Sequence, residues 1–414
     1  MNRRLLDNFA GIKPYDWLLI IGLMLAPMTG FRIWKVGPAE VLCLLWSLRH
    51  YPSRYIDTKN DVFRFFVFFL GAMAVGSVWG LIVAPKEVHI IQWATWIYIS
   101  YFSLALYTGL KKNSTEYNEK IMTTIALLSA CWYLFLYYFS IYISKTFFGA
   151  PLWYGGARFT GGATNPHQVA VLMCGITFCF TRKVVSREYP ILNLVFACIC
   201  IYIVLQTASS TGVAAIVLGS LSLIYIITVH SSGSMDKKVL LTVVEVFILI
   251  ICCIILFDDI YNYIMEWIMS DKNGMGRINL FNQIGGTILK SPLFGLGPGV
   301  HAVSRSGKLM EYHNTYTEIL ATTGIIGFIV FGWFSFRMFR NILYDDFFLP
   351  AIVAIYVYGL GGFAMRRLAY WGIFIIIFVI TEKKREQLMK AMMNNRYSEY
   401  IEESDAYEKS RSRG

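Results

Sequence analysis

Charged residues are scarce in this chain: they make up 15% of its 414 residues, whereas 56% are hydrophobic. Soluble domains average about 25% charged residues, so the composition argues against a soluble protein. The sequence also lacks a C-x-x-C pair, a P-loop and an H-E-x-x-H motif, and no internal repeat is visible. It therefore gives no sign of a zinc site or of a nucleotide-binding loop, and no outward carboxylates have metal-ligand spacing. We predict no metal and no cofactor.

What the sequence does contain is apolar stretches long enough, or nearly so, to cross a hydrocarbon core of about 30 Å. Twelve of them predict an all-α integral membrane protein with about 12 transmembrane helices. The aromatic residues, 16% of the chain, suit the two membrane interfaces. The stretches lie near residues 14–31, 36–48, 63–83, 89–107, 121–143, 165–181, 191–206, 212–229, 239–257, 315–336, 348–364 and 368–380.

Basic residues determine the expected orientation of these spans. With the N-terminus in the cytoplasm, 25 of the 37 Lys and Arg residues fall in cytoplasmic segments, as the positive-inside rule requires. An even number of spans places both termini inside, so the net charge of +11 is topological and does not indicate nucleic-acid binding. We expect a membrane domain over 1–381, outward loops at 143–164 and 258–312, the latter between spans 9 and 10, and a charged cytoplasmic tail over 382–414 that frays from a helix into disorder.

One histidine lies at the mouth of the tenth span, in the run His313-Asn314-Thr315-Tyr316. Part of this run is explained by a helix start, because Thr315 and Glu318 have the spacing of a capping box. That interpretation leaves His313 unexplained. An imidazole takes up a proton near neutral pH, so His313 is a candidate general base.

Arginines in the outward loops are the candidate ligands of an anion. For Arg158 or Arg277 alone, snorkelling to the membrane interface is the simpler interpretation. Arg366 and Arg367 are adjacent and lie outside, against the positive-inside trend, which favours an anionic ligand.

Glycines are concentrated in two places that require close approach of the backbone. Gly295, Gly297 and Gly299 allow a loop to turn sharply or to approach a ligand. Gly76 and Gly80 have the G-x-x-x-G spacing, which we interpret as tight helix packing rather than dimerisation.

Four features, in this order, resemble the O-antigen polymerase and O-antigen ligase superfamily of bacterial envelope assembly. They are Arg158-x-x-Gly161 with Asn165-Pro166, Gly276-Arg277 with Leu280-Phe281, the loop 291–299, and His313-Asn314-x-Tyr316 with Gly324 and Gly327. The resemblance covers roughly residues 155–335. The chain departs from the family pattern after the seventh span. There the family often has Ser-Arg-Gly, whereas this sequence reads Ser209-Ser210-Thr211-Gly212.

The resemblance implies a metal-independent glycosyltransferase at the periplasmic face of the bacterial inner membrane. Its donor would be a glycan on undecaprenyl pyrophosphate, and its acceptor a sugar hydroxyl on a second lipid-linked glycan or on lipid A-core. His313 would take the proton of that hydroxyl, in a single displacement that inverts the anomeric carbon. Pyrophosphate and glycan would be bound by Arg277, which matches best, and by Arg158, Arg366, Arg367, Asn314, Tyr316, Gly295, Gly297 and Gly299.

Alternatives remain open within this interpretation and outside it. A polymerase is favoured over an O-antigen ligase, because the pattern from Arg158 to Pro166 is closer to surface-polysaccharide polymerases. A polysaccharide flippase or other transporter is the alternative of another class. Transporters, however, usually show repeats and bind their substrates near the bilayer midplane. Membrane lipids and a chain-length regulator are further candidate partners.

Overall fold

A computed structural model describes residues 11–33, 36–50, 60–231, 282–304, 307–362 and 364–411. Helices dominate this part of the chain. The stretch 282–290 is a short helical segment. The longer helices are α1 (Asp16–Leu25), α2 (Pro38–Arg49), α3 (Asp61–Val83), α4 (Gln92–Lys111), α5 (Thr115–Tyr142), α6 (His167–Val185), α7 (Pro190–Gln206), α8 (Ser210–Ser231), α9 (Thr315–Ile342), α10 (Leu349–Tyr358) and α11 (Leu368–Arg411).

Every predicted apolar stretch that the structure describes corresponds to one of these helices. Five of them, α3, α5, α6, α8 and α9, are long and apolar enough to cross a membrane by themselves. The ninth predicted stretch, 239–257, lies outside the described residues. The all-α membrane class is therefore confirmed, and the count of 12 spans stays a prediction.

Short β-hairpins interrupt the helices in the two loops that we predicted to face outward. In the first loop, β1 (Thr146–Phe147) pairs with β2 (Ala150–Pro151), and β3 (Trp153–Tyr154) pairs with β4 (Arg158–Phe159). In the second loop, β5 (Ala302–Val303) pairs with β6 (Leu309–Met310). All three pairs are antiparallel.

Hydrogen bonds between loops join segments that we predicted to lie on the same side of the membrane. On the outward side, Gly30 donates to Gly162 at 2.9 Å and His89 donates to Pro298 at 3.0 Å, each through its backbone amide. On the opposite side, Arg182 binds both Glu119 and Asp345 at 3.0 Å. The described loops thus follow the alternation that the apolar stretches predict.

The final helix α11 is longer than we expected. Its first part is at the centre of the bundle, and residues 370–380 are buried. We predicted that the chain would fray from Glu382, but α11 continues to Arg411. Ion pairs explain the difference just beyond the apolar part, because Glu382 binds Lys111 at 2.8 Å and Lys384 binds Asp345 at 2.6 Å.

A break in α9 places the glycine-rich loop inside the bundle. Gly324 has a φ of 61° and a ψ of −164°, a conformation that only glycine adopts readily. The loop 291–299 inserts at this break, where Pro292 O accepts from Ile325 N at 2.9 Å and Gly297 N donates to Thr322 O at 2.9 Å. Backbone groups freed by the break are therefore paired with the loop, as a membrane interior requires. The break lies nine residues into α9, or about 14 Å from its start.

Candidate active site

The start of α9 differs from the predicted capping box of Thr315 and Glu318, which is wrong. Asn314 is the N-cap, and its side-chain oxygen accepts from the amides of Tyr316 at 2.9 Å and Thr317 at 3.1 Å. Asparagine caps a helix at least as well as threonine. The carboxylate of Glu318 instead accepts from the amide of Tyr312 at 2.8 Å. It thereby fixes the chain that leads to His313, whose side chain is exposed.

A second set of bonds ties the start of α9 to the loop that carries the arginine pair. The Thr315 hydroxyl donates to Gly362 O at 2.7 Å and accepts from Ala364 N at 3.0 Å. The side-chain amide of Asn314 donates to Leu360 O at 2.8 Å. The segments 313–316 and 360–364, which are far apart in the sequence, therefore meet at the end of the bundle that we predicted to face outward.

The arginine pair is divided between two environments. Arg366 forms an ion pair with Glu311, two residues before His313. Glu311 also accepts a hydrogen bond from the side chain of Gln92 at 3.0 Å. Arg367 is half-buried, and desolvation, together with the positive charges of Arg366 and Arg32, lowers its pKa to about 10. Arg367 is still charged at neutral pH, and an anion beside it would be stabilised.

These arginines line a cavity of about 520 Å³. Its polar part contains three arginines and two glutamates, so positive charge is in excess. Its remaining walls are largely apolar and come from α2, α4 and the residues next to them. The lining residues are Arg32, Val36, Glu40, Val41, Leu44, Ile91, Gln92, Ala94, Thr95, Tyr98, Ile99, Glu311, Arg366, Arg367 and Leu368.

Arg32 is the site residue that our sequence reasoning missed. It forms an ion pair with Glu40, while its Nε is buried and has no hydrogen-bond partner among the residues that the structure describes. The signal was present in the sequence. Arg32 follows the first span on the outward side, against the positive-inside trend, as Arg366 and Arg367 do after the eleventh. Applying that criterion to every outward loop would have found it.

The predicted glycines pack against protein backbone in the structure. Gly295 and Gly297 have φ values of 70° and 77°. A Cβ at Gly295 would collide with the backbone at the α9 break, one at Gly297 with Ser77 and one at Gly299 with Glu87. Contact of these glycines with substrate stays a prediction. Their packing determines where the loop 291–299 lies.

The G-x-x-x-G pair of α3 faces this loop as well. A Cβ at Gly76 would collide with Phe294 O, and one at Gly80 with Leu296 O. The expectation that these glycines serve tight packing is confirmed, since the loop lies directly on α3.

A buried histidine attaches the same loop to the turn between α3 and α4. His301 lies 2.8 Å from Gly297 O through its Nε2 and 3.3 Å from a Glu87 carboxylate oxygen through its Nδ1. Lys290 pairs with the other oxygen of Glu87. Burial tends to raise the pKa of Glu87, but the hydrogen bonds from His301 and Lys290 lower it below its ordinary value.

The remaining predicted residues lie at different distances from the cavity. Arg158 donates from its Nε to Thr207 O at 3.1 Å. The Tyr316 hydroxyl donates to Tyr356 O at 2.7 Å, within the bundle. Neither residue lines the cavity. Arg277 lies outside the described residues.

The segment that departs from the family pattern lies beside the arginine-bearing loop. A Cβ at Gly361 would collide with Thr211, and Ser209 binds His167 Nδ1 at 2.9 Å. Thr211 therefore approaches the loop that leads to Arg366 and Arg367.

One comparison with known proteins bears on the family of the chain. A family model described as O-Antigen ligase matches residues 194–332, about a third of the chain. The matched segment contains the loop 291–299, His313 and the Gly324 break, whereas Arg32, Arg366 and Arg367 lie outside it. The match confirms the resemblance to the O-antigen polymerase and ligase superfamily. No curated protein matches the chain.

Proposed function

We propose that this multi-pass membrane protein transfers a glycan from undecaprenyl pyrophosphate to an acceptor sugar hydroxyl at the periplasmic face of the bacterial inner membrane. The observation that supports it most is the cavity lined by Arg32, Arg366 and Arg367. Glu311, which lines the cavity with them, is two residues from His313. His313 itself does not line the cavity, but an anion site two residues along the chain from a candidate base has the parts that such a transfer needs.

The chemistry assigns a different task to each group. The bond between the anomeric carbon and the phosphate oxygen breaks, and the pyrophosphate lipid leaves with the electron pair. Arginines stabilise that growing negative charge, and a fixed guanidinium fork suits pyrophosphate oxygens. The acceptor oxygen forms the new bond, and its proton goes to His313. A single displacement inverts the anomeric carbon, without a metal ion in the proposed scheme.

Other predicted residues have supporting places in this proposal. Asn314 keeps His313 at the helix start, because it caps α9 and bonds to Leu360 O. Tyr316 and the glycines of the loop 291–299 remain proposed contacts of the glycan or the pyrophosphate. Arg158 and Arg277 remain proposed ligands of the donor, at the glycan or at the pyrophosphate.

Two acceptors fit this chemistry. We favour a second lipid-linked repeat unit, which makes the protein a polymerase of O-antigen or exopolysaccharide, with a chain-length regulator as a candidate partner. The description of the matched family favours the second candidate, transfer to lipid A-core. Both use the same donor, so the arginine-lined cavity does not separate them.

Reconstitution separates the candidates. Purified protein in nanodiscs is supplied with an undecaprenyl-pyrophosphate-linked repeat unit, and the products are resolved on a gel. A ladder of lengthening glycans identifies a polymerase. Transfer only after addition of lipid A-core identifies a ligase. If folded protein yields no new glycosidic bond in either arm, but moves the lipid-linked glycan across a vesicle membrane, the proposal is wrong and the protein is a transporter.

A further inference from the structure

The cavity has a charged part and an apolar part. The apolar part makes no contribution to the glycosyl transfer described above. The arginines and glutamates lie at its outward end, with Gln92. The apolar lining includes Val41 and Leu44 on α2 and Ala94 and Ile99 on α4. Apolar walls do not stabilise a water-soluble anion. They favour a ligand with a hydrocarbon part, because burying apolar surface is favourable.

The apolar part runs along the membrane-facing length of α4. The lining extends from Ile91 to Ile99, which are eight residue steps, or about 12 Å, apart along the helix axis. Ile99 at the far end is 1% exposed, whereas Val41, Leu44 and Ile91 are 44%, 39% and 61% exposed. The cavity therefore ends in the bundle on one side and is open between α2 and α4 on the other. A long chain can leave through that opening into lipid.

The positive charge of the cavity favours a ligand with an anionic head group. Arg32 and Arg366 are each paired with a glutamate, and Arg367 is the additional positive charge between them. The buried Nε of Arg32 has no partner among the described residues. A diphosphate has enough oxygens to bind several guanidinium groups at once. It would also balance the positive charge that Arg367 leaves in excess.

We propose that the groove between α2 and α4 holds the isoprenoid chain of a lipid diphosphate, with Arg32 as a third ligand of the diphosphate beside Arg366 and Arg367. The inference rests on the proposed function, because it treats this lipid as the glycan donor. The donor enters sideways from the membrane between the two helices, and its sugar extends toward His313.

Two leucines on α2 provide a matched test. Leu44 lines the groove, while Leu45 is at the same depth, is 44% exposed and does not line it. Leu44→Trp fills the groove, and Leu45→Trp adds the same ring to the neighbouring face. Binding to each purified variant in nanodiscs is measured with undecaprenyl pyrophosphate, with inorganic pyrophosphate and with phosphatidylglycerol as competitor.

We expect Leu44→Trp to weaken binding of undecaprenyl pyrophosphate by on the order of tenfold, and Leu45→Trp to bind as the unmodified protein does. Inorganic pyrophosphate should compete equally well with both, because it uses only the arginines. Equal effects of the two variants on binding would show that the groove does not hold the isoprenoid chain. Displacement of the diphosphate lipid by phosphatidylglycerol at equal concentration would also contradict the proposal.

Transfer measured on the same proteins separates the two proposals. If Arg367→Met abolishes glycan transfer while Leu44→Trp changes neither binding nor transfer, the groove is wrong and the proposed function stands. If the unmodified protein transfers no glycan but Leu44→Trp alone loses the diphosphate lipid, the groove is correct and the proposed function fails. Both variants are checked for folding by thermal unfolding before the comparison.

Discussion

The buried carboxylate of Glu318 accepts a hydrogen bond of 2.8 Å from the backbone amide of Tyr312, the residue immediately before His313. Glu318 is 1% exposed and lies in the first turns of α9. Glu318 therefore fixes the backbone on the N-terminal side of His313. Asn314, the residue after His313, is fixed by the hydrogen bond from its side-chain amide to Leu360 O. His313 is placed by these two contacts.

Glu318 should act on the reaction through the position of His313. Glu318→Gln keeps an oxygen that can accept from Tyr312 N, whereas Glu318→Leu leaves that buried amide without a partner, at a cost of about 1–3 kcal/mol. We expect Glu318→Leu to lower kcat much more than it changes KM, and Glu318→Gln to restore most of kcat. Steady-state transfer rates test this. Equal loss in both variants would show that the charge, and not the hydrogen bond, matters.

Arg367 should help to bind the donor and should lower the stability of the folded protein. Its charge is partly desolvated next to Arg366 and within the field of Arg32, and a desolvated charge with incomplete compensation destabilises a fold. We expect Arg367→Met, of similar length, to unfold at the same or a higher temperature. Its kcat/KM for glycan transfer should fall by about two to three orders of magnitude. A lower unfolding temperature with unchanged activity would contradict the assignment.

Gly324 should tolerate no side chain. An alanine there requires a conformation that costs about 1–3 kcal/mol, and its Cβ would collide with Leu293 O. Gly332 is the control in the same helix, because a Cβ there meets nothing within 4 Å. We expect Gly324→Ala to lower the unfolding temperature in detergent and Gly332→Ala to leave it unchanged or raise it. Similar temperatures for both variants would contradict the break in α9.

Stability of the outward loop should depend on acidity through Glu87. The pKa of Glu87 is lowered in the folded protein, so its contribution is complete above its ordinary value of 4.5 and is lost as the pH falls through the folded value. We expect the unfolding temperature of the unmodified protein to fall more steeply below that pH than that of Glu87→Gln. Lys290→Met, which removes one of the groups that lower this pKa, should also flatten the curve. Parallel curves for all three proteins would argue against the role of this cluster.

Local patterns in the sequence predict the helices well and the site only in part. Runs such as 63–83 and 121–143 need only their own residues to become helices, so their places follow from composition. The loop 291–299 could not be placed in the same way, because its partners are backbone groups at the α9 break, far along the chain. The capping box failed for a related reason: Asn314 and Thr315 are both good caps, and the choice depends on Gly362. The position of Arg32 after the first span marked it as an exception to the positive-inside trend, but only the fold shows that it lines one cavity with Arg366 and Arg367.

The most direct test of the account is the identity of the lipid that leaves. Purified protein in nanodiscs is given the undecaprenyl-pyrophosphate-linked glycan and its acceptor, with a chelator present, and the released lipid is identified by mass spectrometry. We expect one undecaprenyl pyrophosphate for each new glycosidic bond, and loss of both in His313→Ala. Release of undecaprenyl monophosphate, or glycosidic bonds that form equally well in His313→Ala, would contradict it.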